Sequence, residues 1–212
     1  MRLVQNLGKS AGLSLLFIGA LAAGSRDAGA ADPRYPDWPC TQAKVPDISI
    51  AAVWDGPPID EAQNGWQNDP AIESLVARLA ARRIPLEEAQ KNIADFVAAA
   101  GAEKTRKSML LFAGLFETLN RQRTEVMNGL ERLQTRQRDL ADRIRADVAA
   151  LREQQDQSQP DEGKINDLNS RIEWSTRIFE DRRRSVKYAC EVPTIIERRL
   201  FALARAIRQE LD

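Results

Sequence analysis

Residues 109–151 read MLLFAGLFETLNRQRTEVMNGLERLQTRQRDLADRIRADVAAL. Apolar side chains recur at alternating steps of three and four: Met109, Phe112, Phe116, Leu119, Val126, Leu130, Leu133, Leu140 and Ile144, then Val148 and Leu151. Arg123 and Gln137 occupy two positions on the same stripe. That spacing keeps one side of an α-helix apolar along its length, and its mean near 3.5 is the heptad of a coiled coil. No proline falls between Glu103 and Gln157, and Gly114 and Gly129 are the only glycines there. A helix of about 55 residues would be roughly 80 Å long.

Toward the C-terminus the pattern stops at QQDQSQPDEG, residues 154–163. Pro160 and Gly163 punctuate this polar run as a turn. The spacing resumes at Ile165, Leu168, Ile172, Ser175, Phe179, Arg182, Val186 and Ala189. Pro193 follows, and the phase continues through Ile196, Leu200, Leu203 and Ile207, which predicts a kink or a one-turn break at the proline. A short turn makes the two arms antiparallel neighbours. A tip at Ser158 pairs residues whose numbers sum to about 316, placing Leu151 against Ile165, Ile144 against Ile172, Leu130 against Val186 and Phe116 against Leu200.

Toward the N-terminus lie two shorter helical patterns within 70–101. Asp69-Pro70 supplies an N-cap and a proline at the first helical position, ahead of Ile72, Leu75, Val76 and Leu79. Pro85 opens the next, with Glu87 and Glu88 in its first turn and Ala89, Ile93, Phe96 and Val97 on its apolar stripe. These helices are expected at the hairpin's base, around Phe112, Phe116, Leu200 and Phe201.

Residues 31–69 hold six prolines and the tryptophans Trp38, Trp54 and Trp66. Proline density favours extended backbone, while aromatics argue for order. The expected structure is a strap lying across the helices near Val126, anchored by Tyr35, Trp38, Val45, Ile48, Ile50, Val53 and Trp54. Before it, residues 1–30 read as a secretory signal. Arg2 and Lys9 precede the apolar run Ala11–Gly24, which is too short to span a bilayer, and Ala28-Gly29-Ala30 offers a cleavage site. The alternative is an uncleaved anchor. Export places Cys40 and Cys190 in an oxidising compartment, most simply the periplasm, where a disulfide between them is the default.

The fold class expected is therefore all-α: a long antiparallel coiled-coil helical hairpin over 102–212, two short helices at its base, and an extended Pro/Trp-rich arm. Chemistry is less visible. The chain carries 31 Lys+Arg and 31 Asp+Glu; without Arg2, Lys9, Arg26 and Asp27, 28 and 30 remain, close to −2. No basic footprint for nucleic acid appears, and nothing beyond the signal points to a membrane. Histidine is absent, so the commonest general base and metal ligand are missing. No phosphate loop, nucleophile elbow or Cys-x-x-Cys occurs. The expectation is a non-enzyme without cofactor or metal. Candidate partner contacts are the polar seam residues Arg123, Gln137 and Arg182, and the basic cluster continuing through Arg183 and Arg184. The competing readings are side chains snorkelling to solvent and a solvated helix face with Glu180 and Glu191 at hand. Glu131 reads as a surface ion-pair partner of Arg132 and Arg136.

In architecture, residues 103–210 resemble the periplasmic hairpins of efflux adaptors and of tentacled holdase chaperones. The likeness rests on the helical pattern alone and assigns no family. No segment reads as the β-domain that flanks the hairpin in both groups, and the net basic charge usual in the chaperones is missing. The function it implies is interaction: a periplasmic protein that holds a protein partner, or a second copy, through its hairpin. The alternatives are a holdase, or an accessory subunit of an envelope transporter or enzyme.

Overall fold

The computed structural model describes residues 32–212; the expected signal peptide lies outside them. Among the described residues the chain is helical with no strand. The helices are α1 (Ile50–Val53), α2 (Pro70–Ala80), α3 (Leu86–Ala99), α4 (Lys104–Gln155), α5 (Glu162–Ala189) and α6 (Val192–Gln209). Single 3-10 turns sit at Trp66–Asn68 and Gly101–Glu103. None of these helices is long and apolar enough to cross a membrane.

Local chemistry sets the boundaries. The Asp69 carboxylate accepts from the N–H groups of Ala71 at 3.0 Å and Ile72 at 3.3 Å, so α2 starts at Pro70. α2 ends in a cap from another helix. Arg199 of α6 donates to the carbonyls of Leu79 at 2.7 Å and Ile84 at 2.9 Å, which satisfies backbone left unpaired beyond the last turn. Burial there lowers the Arg199 pKa. Between α3 and α4, Gly101 takes φ 53°, a left-handed conformation that only glycine adopts freely. Asp161 caps α5 by accepting from the Lys164 N–H at 3.1 Å, and that bond holds its carboxyl below the usual range. The break between α5 and α6 falls at Cys190-Glu191, with Pro193 in the first turn of α6. Proline lacks the N–H that would carry the helix through Ala189, but it fits a first turn, where that N–H is unused.

α4 runs antiparallel to the two helices that follow it. Arg171 reaches Asp147 at 2.9 Å, the Gln137 Nε2 donates to the Phe179 carbonyl at 2.7 Å, and Arg123 meets Glu197 at 2.5 Å. As the number falls along α4 it rises on the partner.

The core sits where α2, α3 and α6 surround the first third of α4. Ile72, Leu79, Ile93, Leu111, Phe112, Leu115, Leu119, Leu200, Leu203 and Ile207 are fully buried there. Each contributes about 1.5–3 kcal/mol of hydrophobic stabilisation. Trp54 closes one side, stacked on Phe112 with ring centroids 4.2 Å apart. Gly114 lets Trp66 and Val76 approach α4; a Cβ there would sit 2.7 Å from Val76 Cγ2 and 2.9 Å from the Trp66 ring. By contrast, α5 buries only Leu168. Stability is therefore concentrated in the bundle, and the distal part of α4 and α5 rests on a thin seam.

Two expected anchors lie elsewhere. Phe201 is 37% exposed, because Leu200, Leu203, Ala204 and Ile207 already define the inward face of α6. Val45 is 53% exposed, because its carbonyl, not its side chain, engages α4. The strap does reach the level of Val126, between Glu131 and Arg123, but it does not cross the helix there. It runs alongside α4 in the opposite direction: Asp37 meets Arg138, Lys44 meets Glu131 at 2.6 Å, and Val45 and Pro46 meet Arg123. Glu131 thus pairs with Lys44 of the arm and not with Arg132 or Arg136.

Candidate functional site

Two surfaces of the α4–α5 region carry side chains beyond what packing needs. One is the collar made by the arm. Cys40 and Cys190 are joined, with Cα atoms 5.6 Å apart, and the Gln42 amide donates to the Cys190 carbonyl. Trp38 Nε1 donates to the Gln42 carbonyl at 2.7 Å, tightening the loop around the cystine. Lys44 lies over the Tyr35 ring, 4.7 Å from its centroid, while it holds Glu131. Residues 35–46 are thereby fixed along the hairpin by the cystine and these polar contacts.

Two candidate partner contacts belong to this collar and not to a free surface. Arg123 is 2% exposed. Its guanidinium pairs with Glu197 and donates to the carbonyls of Val45 and Pro46, the latter at 3.1 Å. Arg123 does not snorkel to solvent; it joins arm, α4 and α6 at one point. Gln137 is 7% exposed, and its amide N–H spans the seam to Phe179. An open two-helix seam would have left both polar residues in water. Extended backbone from the arm closes that side at Arg123, and its carbonyls supply the acceptors a buried guanidinium requires.

Arg182, Arg183 and Arg184 stay exposed on α5. Arg183 pairs with Glu180 at 3.2 Å and Arg184 with Asp181, both one turn away on the same helix. Such pairs are weak and exchange readily with solvent or another charge.

The second surface is the outer face of α5, which the seam pattern passes over. Trp174 is 62% exposed and Tyr188 is 71% exposed. They stand fourteen positions apart, two heptads, so they share one side of the helix about 21 Å apart. At 100° per residue Trp174 points roughly 120–160° away from Leu168, Ile172 and Phe179, the residues turned toward α4. Asp181 lies midway between the two rings, flanked by Arg177, which pairs with Glu173 at 3.0 Å, and by Arg184. The signal for this face was in the sequence: Trp174 is the one tryptophan outside the arm, and it falls off the apolar stripe.

Among the described residues, no group of three or more His, Cys, Asp or Glu side chains could hold a metal ion. No protein-family model, curated protein or solved structure matches the chain.

Proposed function

We propose that this chain is an exported periplasmic interaction protein, in which an antiparallel coiled-coil hairpin presents the outer face of α5 to a helix of a protein partner. One observation carries this reading: a tryptophan and a tyrosine stand in solvent on the same side of a helix whose other side is already packed. Large aromatics on a water-facing helix side mark contact sites, because each removes 150–250 Å² from water when covered. Their two-heptad spacing matches the repeat by which one helix docks along another. Arg177, Asp181 and Arg184 between them would set orientation more than affinity. The bundle at the base holds the hairpin, and the cystine ties the arm to it.

Crosslinked pull-down from the periplasm tests this. Trp174→Glu with Tyr188→Glu should abolish capture of the partner while leaving the melting temperature unchanged, since neither side chain is packed. Sedimentation of the same pair of proteins shows whether the face closes on a second copy. Equal recovery of the same partner by wild type and double variant would refute the reading. Suppression of aggregation of several unrelated unfolded proteins, undiminished in the double variant, would favour the holdase alternative instead.

A further inference from the structure

The collar encloses a groove of about 590 Å³ between the arm, α4 and α5. Its wall includes the Cys40–Cys190 bridge, Ala141, Phe179 and Val186, with Arg138, Arg183, Lys187 and Glu191 around it. Gln137 also lines it. The Gln137 Oε1 is buried and has no hydrogen-bond partner, although the residue is only 7% exposed. Its orientation is determined by the other half of the amide: Nε2 donates to the Phe179 carbonyl, which can only accept. Turning the amide over would set oxygen against oxygen. Gln137, which lines the groove, therefore keeps a fixed acceptor that no donor meets and that is closed to solvent in this arrangement of the groove, and leaving it unmet is costly.

The remaining chemistry narrows the donor's source. Three of the four charged groups are basic. Arg138 is held by Asp37 and Arg183 by the half-buried Glu180, while Lys187 has no ion-pair partner among the described residues. From Phe179 to Cys190 the α5 wall is about 16 Å long at 1.5 Å per residue, the span of roughly five residues of extended chain. Arg183 and Lys187 are one turn apart, about 6 Å, which matches the spacing of alternate side chains on one side of an extended peptide. We infer that this groove binds an extended acidic peptide segment of about five residues. Its backbone N–H would donate to the Gln137 Oε1, carboxylates at alternate positions would meet Arg183 and Lys187, and its apolar side chains would cover Phe179, Val186 and the cystine. The groove's α5 residues lie roughly 120–180° around the helix from the line through Trp174 and Tyr188, so it is separable from the proposed partner face.

The test is fluorescence anisotropy of a labelled, end-blocked Ala-Asp-Val-Asp-Ala peptide titrated with the oxidised protein. Saturable one-to-one binding, weakened as salt rises, is expected. Arg183→Glu with Lys187→Glu should weaken it by roughly tenfold or more, and both positions are exposed, so folding is unaffected. Gln137→Met keeps the side-chain volume and removes the acceptor; it should weaken binding by roughly three- to tenfold, and methylating the peptide's central N–H should do the same. No saturation up to about 1 mM peptide would overturn the inference. So would equal binding of Ala-Lys-Val-Lys-Ala, unchanged affinity in the variants, or displacement by free glutarate at the peptide's own affinity, which would reduce the groove to a bare anion site.

Discussion

Replacing Arg123 with methionine removes a side chain that joins arm, α4 and α6, and its cost can be worked from the geometry. Methionine retains the apolar stem, so the loss is in polar contacts. Three acceptors lose their partner: the Glu197 carboxylate and the carbonyls of Val45 and Pro46. Breaking a buried charged pair from one side costs about 3–5 kcal/mol. The Glu197 side chain is 30% exposed and keeps part of its water, so the lower end, about 3 kcal/mol, applies. At about 2–4 °C per kcal/mol for a chain of this size, the melting temperature should fall by about 6–12 °C. Glu197→Gln leaves both arm carbonyls bonded but strips the counter-charge from a guanidinium that is 2% exposed, and should also cost about 3 kcal/mol. Arg121→Met, which breaks an exposed pair with Glu117 at 3.1 Å, should stay within about 0.5 kcal/mol. Urea unfolding of the oxidised protein measures all three, and hydrogen exchange at residues 45–48 reports whether the arm loosens. An Arg123→Met variant within about 1 kcal/mol of wild type, with an unchanged denaturant slope, would falsify this account of the buried guanidinium.

Gly114→Ala should destabilise the bundle by about 1–3 kcal/mol, because the new Cβ meets Val76 and Trp66, neither able to swing into solvent; calorimetry showing no loss would mean that α2 can move away from α4. Reduction of the Cys40–Cys190 bridge opens a loop of 150 residues and should cost at most about 5 kcal/mol in the loop-entropy account. Exchange protection should disappear first at residues 35–46, ahead of Ile48 and Ile50, which pack against the core. Trp54, stacked on Phe112, should remain in place. Simultaneous loss at Trp54 and Trp38 would show that the arm is one cooperative unit.

Much of the helical organisation was legible because it is a matter of period and punctuation. The three-four spacing from Met109 to Leu151 predicts one uninterrupted helix, and α4 is 52 residues long. Asp69-Pro70 and Pro193 announce the starts of α2 and α6 through the proline's missing N–H. The arm was legible only as ordered proline-rich chain. Its direction along α4 depends on pairs such as Lys44 with Glu131 and Asp37 with Arg138, distant in sequence and individually unremarkable there.

The sequence by itself determined which residues share a face, since periodicity is a property of each helix alone. Only the tertiary structure decided what covers that face. Arg123 and Gln137 looked alike as polar interruptions of one stripe. One is sealed beneath the arm's carbonyls, and the other keeps a buried oxygen without a partner at the edge of a groove. Phe201 was expected among the helices at the base, yet it stands at the surface because Leu200, Leu203, Ala204 and Ile207 already fill the inward side of α6, and Trp174, off the apolar stripe, stands in solvent. Burial of a polar group depends on acceptors brought from elsewhere in the chain, and exposure of an apolar one depends on the absence of any surface to meet it. Neither condition is written in the local pattern.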